Sequence, residues 1–112
     1  IMNLPFSIMF HSAKVEAELE NLPDGLLAKF IRYMERMERY GPDLGMPHTK
    51  ALGNGLFELR LQASEGIARI FYCTLSGRNI FVLHHHIKKT QQIPRRELDI
   101  ARARQQELKH GK

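Results

Sequence analysis

Tryptophan is absent from this chain, cysteine occurs once, and only five prolines and eight glycines interrupt its 112 residues. The lone Cys73 excludes an internal disulfide, points to a cytoplasmic setting, and is most simply a small buried strand residue. No apolar run approaches the roughly 20 residues that a membrane-spanning helix needs, so no membrane partner is expected. The first residues lack the basic stretch and apolar core of a secretion signal. No GxGxxG, Walker loop or GxSxG occurs, which removes the usual dinucleotide, nucleotide-phosphate and serine-hydrolase readings. What is present is an apolar content of 43%, enough for a folded core rather than a disordered tail, in a chain of the length of one domain.

Acidic residues are also scarce, but only at one end. Residues 1–87 carry nine Lys/Arg and nine Asp/Glu, whereas residues 88–112 carry eight and three, so the whole formal charge of +5 lies in the last segment. A basic segment of this kind favours a polyanion, although a solvated basic helix face has the same composition.

The periodicity divides the chain. Residues 5–11 suit a short strand, and Ser12 suits the cap of a helix over 13–20 that ends at Asn21-Leu22-Pro23. Asp24 is expected to cap a second helix over 25–40, with Leu27, Phe30, Ile31, Met34 and Met37 at helical spacing and Gly41-Pro42 as its stop. The two make an αα-hairpin, and residues 41–49 a loop. Beyond residue 50 the period becomes two, with strands at about 56–63, 66–75 and 79–87 and turns at Ser64-Glu65 and Ser76-Gly77. A last helix begins near Pro94 as first helical residue, has Glu97 in its first turn, and runs to about Lys109. The fold class is α+β: an N-terminal strand and helical hairpin packed on a small antiparallel-rich sheet, with a C-terminal helix.

Matching the apolar residues across strands sets a register. Leu59 pairs with Ile70, Phe57 with Tyr72, and Leu61 with Ala68; Ile70 is further expected to pair with Leu83, Tyr72 with Phe81, and Ala68 with His85. A slip of one residue would oppose Arg60 to Ile70 and expose the apolar set. By alternation the other face carries Arg60 beside Arg69, Arg69 beside His84, and Glu58, Phe71, Val82 and His86, with Lys88 extending it.

Two guanidiniums, an imidazole and an ammonium on one face are a candidate site for an anion. The arginine fork suits phosphate, and adjacent like charges on a sheet are costly unless something offsets them. His84 can exchange a proton near neutral pH. Such a set can cleave RNA without metal or other cofactor: a base activates the ribose 2′-OH, Arg60, Arg69 and Lys88 stabilise the charge on phosphorus, and an acid protonates the leaving oxygen. His86 on the same face, and Arg95 and Arg96 in the basic segment, are candidate RNA contacts. His84 and His86 are the only two of the three consecutive histidines that can share a metal, and no spaced Cys, His or Asp completes a ligand set.

The second half of the chain resembles the RelE/HigB superfamily of toxins from type II toxin–antitoxin modules, in particular its phage-derived, HigB-like branch. The resemblance rests on Leu56-Phe57-Glu58-Leu59-Arg60, Arg69-Ile70-Phe71-Tyr72, Leu83-His84, Lys88-Lys89-Thr90-Gln91 and Pro94-Arg95-Arg96-Glu97-Leu98 leading to Ala101, in that order. It implies a RelE-like fold and an mRNA endonuclease working in the ribosomal A site. It also implies a cognate helix-turn-helix antitoxin as partner, and it leaves the oligomeric state open. Arg60 and Arg69 fall on its phosphate-contacting positions, and His84, Lys88 and Lys89 on its characteristic His and Lys-Lys; Lys89 rests on the resemblance alone. Position 86, commonly aromatic in this branch, is His here. The competing reading is a non-catalytic module that binds RNA or an antitoxin, since binding needs the same surface without a placed proton carrier.

Overall fold

The computed structural model of the chain describes residues 4–88 and 92–111. The elements follow in the order β1 (Ser7–Phe10), α1 (Ala13–Glu20), α2 (Asp24–Tyr40), β2 (Thr49–Gly53), β3 (Leu56–Ala63), β4 (Gly66–Leu75), β5 (Asn79–Lys88) and α3 (Arg95–Lys109). The five strands form one sheet in the order β1-β5-β4-β3-β2, antiparallel except for the parallel β1–β5 edge. This is the expected α+β, RelE-like architecture. Among the described residues no helix is long and apolar enough to cross a membrane.

Local chemistry accounts for most element ends. The Ser12 hydroxyl accepts from the Val15 amide and caps α1. Asp24 does not cap α2: Pro23 occupies that position, and Asp24 is the first residue of the helix, where its charge still favours the exposed amides. Gly41 ends α2 at φ 94, with its amide on the Met37 carbonyl. Only glycine takes this φ without strain, and a Cβ there would meet the Phe6 ring. Pro94 stands one place before α3 rather than inside it.

The sheet separates two cores. The hairpin side buries Val15, Leu19, Leu26, Phe30, Met34 and Met37 against Leu59, Leu61, Ala68, Ile70, Tyr72, Ile80 and Val82. Ile31 points outward. The other side is smaller: Leu56, Phe71, Cys73 and Leu83 packed under Ala101 of α3. Cys73 is fully buried, and burial pushes its thiol up to about 11.

The β3–β4 register is as expected, with Leu59 on Ile70, Phe57 on Tyr72 and Leu61 on Ala68. The β4–β5 register is not. Ile70 pairs with His85, Ala68 with Ile87 and Tyr72 with Val82, because a bulge between Phe71 and Tyr72 leaves Leu83 without an opposite residue. Ile80 and Val82 therefore face the hairpin, while Leu83 and Phe81 turn toward α3. Arg69 lies beside His86, not His84. The Leu83 carbonyl, at the bulge, accepts from Arg104 of α3 at 2.9 Å.

A fifth strand, β2, starts at the last residue of the expected loop and fills the unassigned stretch before β3. Thr49 pairs with Leu59 and Lys50 with Glu58, through a turn at Asn54 and Gly55.

Candidate active site

The apolar contact of α3 with the sheet centres on Leu56, Phe71, Cys73 and Leu83. Where that contact ends, the same face carries charge. A cavity of about 510 Å³ opens there, lined on the sheet by Thr49, Lys50, Glu58, Arg60, Arg69 and Lys88, on the loop before β2 by Met46, Pro47 and His48, and by Gln92 and Ile93 ahead of α3. The structure thus brings together Arg60, Arg69 and Lys88, each reached from sequence by alternation.

Arg69 is not a bare cation on an open strand. It is 5% exposed, and its Nε lies 3.0 Å from Oε2 of Glu58, itself 8% exposed. The pair holds the guanidinium in place on the central strand and offsets its repulsion with Arg60, its neighbour across β3–β4. Arg60 is half-buried, and its backbone amide donates to the His48 carbonyl at 2.9 Å. The Lys88 ammonium loses its proton more readily than an ordinary lysine, through partial burial and then the nearby charges of Arg69 and Arg60, with Glu58 opposing.

His48 and Lys50 are the residues that sequence reasoning missed. Both come from the loop and strand around β2. The Thr49 hydroxyl, buried, accepts from the Leu44 and Gly45 amides, and the Tyr72 hydroxyl donates to the Pro42 carbonyl, so the loop is fastened to the sheet. The His48 ring is held from the other side by Tyr33 of α2, whose hydroxyl lies 2.8 Å from Nδ1. A signal was present: Asn54-Gly55 after Thr49–Gly53 is a hairpin pattern, and it would have set Lys50 beside Glu58 on the charged face.

The histidines of β5 are placed differently. His84 does not line the cavity. Its Nε2 lies 2.7 Å from Oε1 of Glu97, its Nδ1 3.4 Å from the Arg104 guanidinium, and its ring stacks on Phe71. His86 stands beside Arg69 with Nδ1 3.7 Å from the same Glu97 oxygen. Glu97 is held below the usual carboxylate range, chiefly by its hydrogen bond to His84. His85 faces the hairpin side, and burial lowers its pKa, with smaller effects of His84, Glu18, His86 and Glu97. Among the described residues no group of three His, Cys, Asp or Glu has the arrangement of a metal site.

The basic C-terminal segment divides in two. Arg95 and Arg96 are exposed, Arg95 only loosely paired with Asp99 at 3.4 Å. Arg102 donates to the Leu52 carbonyl and Arg104 to that of Leu83, and buried Gln105 donates to that of Asn54. Those two arginines bind the helix to the sheet rather than offering charge outward. Lys89 lies outside the described residues.

No curated protein matches the chain. The family model described as Phage derived protein Gp49-like (DUF891) matches residues 17–106, a span that holds the second half of α1, all of α2 and β2 to β5, and most of α3. With a RelE-like sheet and a basic cavity at its uncovered end, the chain belongs to the phage derived protein Gp49-like family, a family of RelE/HigB-like toxins.

Proposed function

We propose that the protein is the toxin of a type II toxin–antitoxin pair, a ribosome-dependent, metal-independent mRNA endonuclease that attacks through the ribose 2′-OH. The observation that carries this reading is the cavity itself: Arg60, Arg69, Lys88 and Lys50 converge on one space with His48 at its wall. Three or four fixed cations suit a phosphate and the further negative charge it gains when a fifth oxygen bonds to phosphorus. Arg60 and Arg69 stabilise that charge. His48 takes the proton of the 2′-OH as the oxygen bonds to phosphorus. The bond to the 5′-oxygen breaks, and Lys88, made more acidic by its surroundings, supplies the proton to that oxygen. The products are a 2′,3′-cyclic phosphate and a free 5′-OH.

In this assignment His84 acts at one remove. Its ring is engaged by Glu97 and Arg104, so it fixes α3 and the start of the charged strand segment, while His48 does the proton work. Exposed Arg95 and Arg96, with His86 and Lys89, contact the RNA backbone around the cavity. A small domain with few groups to orient a strand leaves that task to the ribosome. A cognate helix-turn-helix antitoxin is the proposed neutralising partner, and the cytoplasm the proposed compartment.

The test is inducible expression of the wild type beside Arg60→Ala, with growth curves and mapping of mRNA 5′ ends. Wild type should arrest growth and create new ends within translated messages. Arg60→Ala should do neither while remaining folded. An Arg60→Ala protein that cuts at the wild-type rate would remove the cavity as the active site, and a wild type that binds mRNA without new 5′ ends would favour the non-catalytic module.

A further inference from the structure

A second cavity of about 310 Å³ lies against the first, lined by Lys29, Tyr33, Pro47, His48, Arg60 and Gln62. Pro47, His48 and Arg60 line both, so the two are basins of one groove that meet at Arg60 and His48. Among the described residues no acidic side chain lines the second basin, whereas Glu58 offsets charge in the first. Its floor continues the charged face of β3, since Gln62 follows Arg60 by two residues on that strand. Its wall is a stripe of α2. Lys29, Tyr33 and Arg36 fall at helical spacing on one face, with the Arg36 guanidinium 5.2 Å from the Tyr33 ring centroid.

We infer that this basin is a second subsite, taking the phosphate of a nucleotide next to the one whose linkage is cut. The inference rests on the cleavage proposed for the first cavity. A strand whose reacting phosphate lies among Arg60, Arg69 and Lys88 must leave that cavity in some direction. The exit past Arg60 and His48 is cationic, with Lys29 at its edge and Arg36 beyond. The apolar groove between the helical hairpin and β1 is different: Glu16, Glu20, Glu35 and Glu38 line it and would repel a phosphate. Tyr33 ties the two basins together. Its hydroxyl bonds the His48 ring at 2.8 Å, so the side chain that walls the second basin also orients the proton carrier of the first.

The experiment compares two non-cleavable 2′-O-methyl RNAs, a dinucleotide with one internal phosphate and a hexanucleotide, by NMR titration of the purified protein. Wild type, Arg60→Ala and Lys29→Ala are measured at several salt concentrations. Lys29 is exposed, so its truncation should leave the fold intact. The expected result is that Arg60→Ala weakens both ligands. Lys29→Ala should leave the dinucleotide unchanged, weaken the hexanucleotide severalfold, and lower its log–log salt slope by about 0.7, the loss of one single-strand phosphate contact. If Lys29→Ala binds the hexanucleotide as wild type does while Arg60→Ala is weakened, the subsite is wrong and the cleavage site stands. If Lys29→Ala weakens both ligands equally, its charge acts at a distance and the subsite is wrong as well. If Arg60→Ala binds both ligands as wild type does, the cleavage-site reading falls, and the subsite with it.

Discussion

The two faces of the sheet are built from the same strands and do different work. Toward the helical hairpin, Leu59, Leu61, Ala68, Ile70, Tyr72, Ile80 and Val82 form an apolar surface, interrupted at His85, that α1 and α2 cover. Toward α3, the surface is apolar only at one end, and the other end carries Glu58, Arg60, Arg69 and Lys88 around an open cavity. Each large side chain fully buried on the hairpin face contributes roughly 1.5–3 kcal/mol. The charged end of the other face contributes little by comparison and costs desolvation. The sheet is therefore anchored mainly from the hairpin side, and part of the other side stays open around the cavity. Paired strands hold Arg60 and Arg69 in register, and the loop before β2 closes on Arg60 through the His48 carbonyl.

The Arg69–Glu58 pair is where this division can be broken most sharply. Arg69→Ala leaves the Glu58 carboxylate buried without that partner, and removing one member of a buried pair costs about 3–5 kcal/mol. Chemical denaturation should show that loss. Replacing both residues, as Glu58→Leu with Arg69→Met, should return most of the stability but none of the mRNA cleavage. A double variant that is stable and active would place the charge outside the chemistry.

Arg60→Ala tests the charged end alone. Arg60 is half-buried, so stability should change by less than about 0.5 kcal/mol. The rate of cleavage of translated mRNA should fall by about 100- to 1000-fold, as for loss of one donor to a developing oxyanion. An equal loss of stability and rate would make Arg60 part of the scaffold.

The hairpin face has its own weak point in His85. Its folded pKa is depressed, so the unfolded chain takes up a proton first as pH falls. The stability it permits is complete above about pH 6.5, its unfolded value, and declines below. Glu97, also depressed, adds a later loss below about pH 4.5. Thermal unfolding at pH 7.5 and 5.5 should show the first decline, and His85→Leu should flatten it without altering the second. An unchanged pH profile in His85→Leu would move the titration elsewhere.

The smallest effect belongs to the exposed end of α3. Arg95→Ala removes an ion pair with Asp99 that solvent already screens, and stability should stay within about 0.5 kcal/mol. Its effect on ribosome binding should be modest and should vanish at high salt.

Much of this molecule was legible from local pattern. Ser12, Gly41 and the change from helical to alternating period mark the hairpin and the strands from Leu56 onward, because capping and amphipathic spacing act over a few residues. Pairing Leu59 with Ile70 was legible too, since a one-residue slip would turn arginine into the apolar face. The β5 register was not. Asn79 to Leu83 include four apolar residues in succession, and alternation carries no information where both faces are apolar. The bulge at Leu83 exists because α3 supplies a second core that takes Leu83, and no local signal in β5 announces it. The parity change moved Val82 to the hairpin side yet left His84, His86 and Lys88 on the Arg69 face.

The candidate site divides in the same way. Arg60, Arg69 and Lys88 share a face because side chains alternate along paired strands, a property each strand carries in its own sequence. That Arg69 is paired with Glu58, that His84 is engaged by Glu97 and Arg104, and that His48 stands at the cavity under Tyr33 are outcomes of tertiary packing. Glu97 is 13 residues from His84 and Tyr33 is 15 from His48. No period within one element can report which side chain a distant helix or loop brings to the sheet. The sequence alone determined the three helices, the strands other than β2, the apolar face and the arginine pair, through local hydrogen bonding and alternation. Only the tertiary structure decided which histidine lines the basic cavity, because that depends on where α2 and α3 press on the two sides of the sheet.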